Sequence, residues 1–183
     1  MRICRAQRRG AEFDRLKVKA AEALAYCKAH NLNTDMCMLV DFGIHSGCNR
    51  FFVWDFKRSA IVCQSLCAHG YGRGSTGSAP VFSNEEGSYC SSLGHYRIGA
   101  RAYSKYGINV HNKLHGLDAT NSNAFKRIVV LHSFDPMPEV ETYPVHLPLG
   151  MSQGCPVISN NTMHRVDTLL QQAKKPTLLW IYD

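Results

Sequence analysis

The chain of 183 residues carries 21 lysines and arginines against 14 aspartates and glutamates, and it is 45% hydrophobic and 19% charged, enough for one sizeable core without requiring two. That balance excludes a disordered or fibrous chain, and no apolar run approaches the roughly 20 residues that would cross a bilayer, so no integral membrane segment is expected. The charge excess suits an anionic surface, yet no nucleic-acid-binding motif accompanies it, and nucleic acid is not expected as a partner.

Residues Met1 to Gly10 hold a basic cluster at Arg2, Arg5, Arg8 and Arg9 but lack the apolar middle of a signal peptide. Either the protein stays inside, or the segment that exports it is missing from this chain. From Phe13 the apolar residues Phe13, Leu16, Ala20, Leu24 and Cys27 recur at helical spacing, which predicts an amphipathic helix ending near Asn31-Leu32-Asn33. Residues 1–35 thus read as a helical segment packed on the domain, and 36–183 as one globular unit.

Met36 to Phe42, Phe51 to Asp55 and Ala60 to Ala68 are short runs rich in β-branched and aromatic residues, and they read as consecutive strands of a meander. The glycine-dense stretch Gly70 to Ser78 follows. A phosphate cradle there would need a helix to open at once, and Ala79-Pro80-Val81 starts none, so the stretch is expected to be a mobile loop beside the active cleft. Tyr96 to Ala100 and Gly107 to His111 are further strand candidates, and Arg127 to His132 is the clearest central strand. Asn160-Asn161-Thr162 offers caps for a second helix through Met163, Val166, Leu169 and Leu170, and Thr177 to Tyr182 closes the chain as a strand. The sum is a mainly β fold with flanking helices.

Eight cysteines invite a disulfide reading, but the chain is too large to need staples and the spacings are irregular. A metal is not expected either. In an extended stretch Cys63 and Cys67 would stand about 13 Å apart, too far for one ion.

Ser152-Gln153-Gly154-Cys155-Pro156 places a thiol on a glycine turn, and the run Ile128 to Leu131 ends in His132-Ser133. These are the parts of a cysteine acyl-transfer site. Cys155 is the candidate nucleophile and His132 the base that takes its proton, with Ser133 or a backbone carbonyl to orient the imidazole. Backbone N–H groups around Gln153, Gly154 and Cys155 would meet the developing oxyanion. If His132 pairs with the thiol, the pKa of Cys155 should be depressed.

A histidine ending a strand, then a loop, then Ser-x-Gly-Cys resembles the signature of the murein L,D-transpeptidase catalytic-domain family, in the branch where proline follows the cysteine. Phe51 to Asp55, Ala68-His69-Gly70, Phe82-Ser83-Asn84, Gly87-Ser88, Ser91 to Gly94 with Tyr96 and Gly99, and Ile128 to His132 occur in that branch's order. The resemblance implies a β-sandwich-like catalytic domain over residues 36–183 that acts on peptidoglycan stem peptides and needs no cofactor. Cys155 would attack the carbonyl joining the L-centre of a diamino acid to a terminal D-alanine, which leaves, with Gly154 and Cys155 as oxyanion donors and Ser152 shaping the turn. An amine or water would then accept, giving a transpeptidase, or a carboxypeptidase or amidase. A cell-wall-binding module without turnover is the further alternative. The resemblance also places His69 in the donor groove and the protein in the periplasm or cell envelope. The chain departs from the wider family at Gln153, where histidine is common, and at Pro156-Val157. Its loop from Ser133 to Met151 is longer and carries Pro136, Pro138, Pro144 and Pro148. Oligomeric state is left open.

Overall fold

Apolar residues recurring every three or four positions produce the buried stripe of helix α1 (Arg5–Ala29): Leu16, Ala20, Ala23 and Cys27 are all buried. The computed structural model describes residues 5–183, and side chains from Gly10 onward; the basic cluster at Arg2, Arg5, Arg8 and Arg9 and the thiol of Cys4 lie outside the described side chains. The strands that follow are β1 (Met36–Asp41), β2 (Phe51–Asp55), β3 (Ala60–Ser65), β4 (Gly94–Tyr103), β5 (Val110–Gly116), β6 (Val130–Ser133), β7 (Val157–Ile158) and, after helix α2 (Asn160–Gln172), β8 (Leu178–Tyr182).

These strands form one eight-stranded sheet in the order β3-β2-β1-β8-β4-β5-β6-β7. The first three are the expected antiparallel meander. The last strand inserts in the middle, parallel to β1 and antiparallel to β4. Beyond β3 the chain runs on to Ala68, which bridges Val157 of β7 at the far edge, so the sheet curls until its two edges meet. The sandwich-like packing is achieved by one sheet folded round on itself, nearly a barrel.

Alternation along the central strands explains why both of their faces are apolar. Met38 and Val40 of β1 with Leu179 and Ile181 of β8 face one cluster, which also holds Leu114, Leu131 and the α2 residues Met163 and Val166. Cys37, Leu39, Leu178 and Tyr182 face the other, beneath α1. Burying each large apolar side chain contributes about 1.5–3 kcal/mol, which pins α2 against one face of the curled sheet and α1 against the other.

Three expected boundaries move. Gly107 to Asn109 form a turn with positive φ at Gly107 and Asn109, and β5 starts only at Val110. Arg127 to Val129 also lie outside a strand: the Val129 N–H bonds back to the Ala124 carbonyl at 2.9 Å, and Ile128 turns outward at φ 57° with 76% of its surface exposed. Ser159, not the asparagines after it, caps α2, accepting from the Thr162 N–H.

Candidate active site

Parallel pairing of β6 with β7 sets His132 opposite Val157. Cys155, two residues before Val157, therefore comes alongside Val130, whose N–H points at its Sγ at 3.4 Å. The thiol lies 3.8 Å from the Ile128 carbonyl. His132 stands two residues beyond Val130 on the same face, a step of about 6.6 Å along a strand. Both side chains line one cleft of about 380 Å³, walled by the β4–β5 turn on one side and Gly150 to Gln153 on the other.

The imidazole of His132 is buried and held by one bond, from Nδ1 to the Ser133 carbonyl at 2.9 Å. A carbonyl only accepts, so Nδ1 carries the proton and Nε2 is left bare to take another. Of the two orienting groups the sequence left open, the carbonyl is the one in contact. The Ser133 hydroxyl instead accepts the Ile108 N–H at 3.1 Å. Burial lowers the pKa of His132 below its ordinary value, the Ser133 carbonyl opposes this, and His111 adds to the lowering. His111 sits directly across from His132 on β5 and lines the same cleft, a neighbour that sequence reasoning missed.

The turn before Cys155 is stapled by Ser152, whose Oγ accepts the Gly154 N–H at 2.9 Å and donates to the Cys155 carbonyl at 2.6 Å. The Gly154 N–H, expected as an oxyanion donor, is engaged by this hydroxyl. Glycine is required there for shape. Its φ is +119°, and a Cβ would stand 2.7 Å from the Cys90 carbonyl oxygen. The Gly154 carbonyl accepts from Ser91 Oγ at 3.1 Å, and the same hydroxyl accepts the Gly70 N–H at 3.0 Å. Ser91 thus ties the glycine-rich loop to the cysteine turn, and the Tyr71 N–H adds a bond to the Ser152 carbonyl at 3.2 Å. Gln153 is exposed at the mouth of the cleft.

Arg127 lies behind this turn, donating to the carbonyls of Ser83 at 2.8 Å and Cys90 at 2.5 Å. Burial pushes the Cys155 thiol above its ordinary pKa, and the Val130 N–H and the Arg127 charge only partly offset this. That direction is opposite to the expected depression, and the contacts of Sγ run to the Val130 N–H and the Ile128 carbonyl, not to the imidazole. The thiols of Cys27, Cys37, Cys63, Cys67 and Cys90 are buried and outside any disulfide, and Cys48 is buried as well.

His69 is elsewhere. It is buried, with Nδ1 at 2.8 Å from Arg50 and Nε2 at 2.9 Å from the Thr76 carbonyl. Arginine only donates, so Nδ1 accepts and Nε2–H donates, and His69 braces the glycine-rich loop and is not among the residues lining the Cys155 cleft. Burial, then the Arg50 charge, lowers its pKa to about 4. A pKa depressed in the folded state means that stability is full above the unfolded value of about 6.5 and is lost as pH falls through the folded one. Unfolding free energy should therefore drop by about 3 kcal/mol between pH 6.5 and pH 4 from this group. Urea melts across that range check it, and His69→Gln should flatten the slope.

Among the described residues no three histidine, cysteine or acidic side chains gather as a metal site, and no helix is long and apolar enough to cross a membrane.

A comparison with curated proteins finds no match. Among solved structures, the fold is similar to the helical cell shape determining protein Pgp2 from Campylobacter jejuni, at 11% identity and a TM-score of 0.53, covering 81% of this chain and 47% of that one. Its K307A mutant matches at 11% identity and a TM-score of 0.53, over 91% of this chain and 55% of that one. The chain spans about half the length of these structures. A family model described as the L,D-transpeptidase catalytic domain matches residues 8–182, helix and sheet together, and the chain belongs to that family.

Proposed function

We propose that this domain is a cysteine-dependent acyltransferase of the cell wall that takes peptidoglycan stem peptides as donors. The observation that carries the reading is the shared cleft of Cys155 and His132, with the Nδ1 proton of His132 committed to a carbonyl and Nε2 open. In the proposed reaction Sγ attacks the carbonyl that joins the L-centre of a diamino acid to D-alanine, while the thiol proton passes to Nε2 of His132. With the Gly154 N–H engaged by Ser152, the N–H of Cys155 itself is the donor for the oxyanion. The imidazolium then protonates the departing amine, the C–N bond breaks, and a thioester on Cys155 remains. An amine of a second stem peptide, or water, attacks the thioester, and its proton returns through His132 to the thiol. Peptidoglycan as substrate puts the site in the periplasm or an equivalent envelope compartment.

Incubation with disaccharide-tetrapeptides tests the proposal. Free D-alanine and a mass adduct on the Cys155 peptide are expected, with dimers marking transpeptidation and trimmed monomers marking hydrolysis. Release of D-alanine with no dependence on Cys155, or no release at all, would overturn it.

A further inference from the structure

The cleft that holds Cys155 and His132 has an uneven composition of charge. Tyr103, Tyr106 and Phe134 give it aromatic walls, and no aspartate or glutamate lines it. Lys105 carries the one full charge among its described lining residues, His111 and His132 being held toward the neutral form. Its ammonium lies 5.1 Å from the centroid of the Tyr106 ring, and that ring lies 5.7 Å from His132. The Tyr106 ring therefore neighbours both the cation and the imidazole.

Among the described residues Lys105 also meets no carboxylate. It takes part in no ion pair among the described residues, whereas Lys19, Lys57 and Lys126 each meet a carboxylate. The surroundings reinforce its sign. Lys113 lies close enough to His111 to help lower that group's pKa, and Arg127 lies behind the cysteine turn. An anion entering the cleft meets the Lys105 ammonium, and no carboxylate among the lining residues has to be displaced first.

We infer that Lys105 is a specificity residue that reads a free C-terminal carboxylate, so that the donor peptide must end at the residue that departs. The inference rests on the reading of the site given above. In such a donor the carboxylate sits one residue beyond the attacked carbonyl, a span of about 3.8 Å between successive α-carbons. A peptide that continues past that residue, or ends in an amide, brings no charge to that place. The cleft therefore favours donors trimmed to a free terminus, as transpeptidation and carboxypeptidation require, over internal bonds such as those holding a linked protein to the wall.

The test uses two small probes that need no turnover. Iodoacetate and iodoacetamide alkylate the same thiol and differ in carrying a carboxylate or an amide beside the reacting carbon. In Lys105→Gln, the ratio of the iodoacetate to the iodoacetamide rate at Cys155 should fall about tenfold, the scale of one charge-assisted hydrogen bond discounted for exposure. Lys105→Arg should restore most of the ratio, which a loss of fold would not allow. On tetrapeptide donors, the preference for a free acid over the C-terminal amide in kcat/KM should shrink by a similar factor, through KM. An unchanged alkylation ratio in Lys105→Gln overturns the inference. A ratio that falls while wild type releases no D-alanine leaves carboxylate reading in place and removes only the peptidoglycan reaction.

Discussion

Cys155→Ala is expected to abolish D-alanine release from tetrapeptide muropeptides, a fall of about 10⁵ or more, because loss of a nucleophile removes the covalent route outright. The residual rate is then set by whatever the turn and cleft do for water alone. Mass spectrometry of wild type under turnover should show the stem-peptide thioester on the Cys155 peptide, and the alanine variant should show none. Folding is not at risk: the side chain is half-buried, and its backbone is held by Ser152 Oγ on its own carbonyl. A variant that melts like wild type yet still releases D-alanine would remove Cys155 from the chemistry.

The second large effect is expected at His132. His132→Gln keeps a polar side chain of similar size but offers no base, and kcat/KM should fall by about 10² to 10⁴, the usual contribution of a positioned proton acceptor. The pH dependence carries the sharper prediction. The proton acceptor must be neutral to act, and burial lowers its pKa, so wild-type activity should hold down to a pH below the ordinary histidine value of about 6.5 before it falls. Alkylation of Cys155 by iodoacetamide should rise with pH about a midpoint above the ordinary thiol value of about 8.5. A midpoint well below that value would mean a standing thiolate–imidazolium pair.

How far the fold and site could be read from the residues depended on distance along the chain. The stripe Leu16, Ala20, Cys27 announces α1 because helical spacing is a local property, and the β-branched runs announce β1 to β3 for the same reason. Ile128 shows the limit. An apolar residue in an apolar run reads as strand, yet the bond from Val129 to Ala124 turns the chain and leaves Ile128 exposed. His69 shows the same limit at the site. The resemblance placed it in the donor groove, and only the arrival of Arg50 and the Thr76 carbonyl makes it a buried brace.

The sequence by itself determined the candidate groups and their order: an imidazole at a strand end, then a thiol on a turn that only glycine can make. Those follow from residue chemistry and from backbone limits that act within a few positions. Tertiary structure alone decided the insertion of β8 beside β1, the meeting of the sheet's edges at Ala68 and Val157, and the cross-strand pairing of His111 with His132. It also decided that Ser91 holds Gly154, 63 positions away, that Ser152 occupies the Gly154 N–H, and that Lys105 shares the cleft with Cys155. Such neighbours are set by how the sheet curls to bury both faces of its central strands, and no local pattern of residues carries that information.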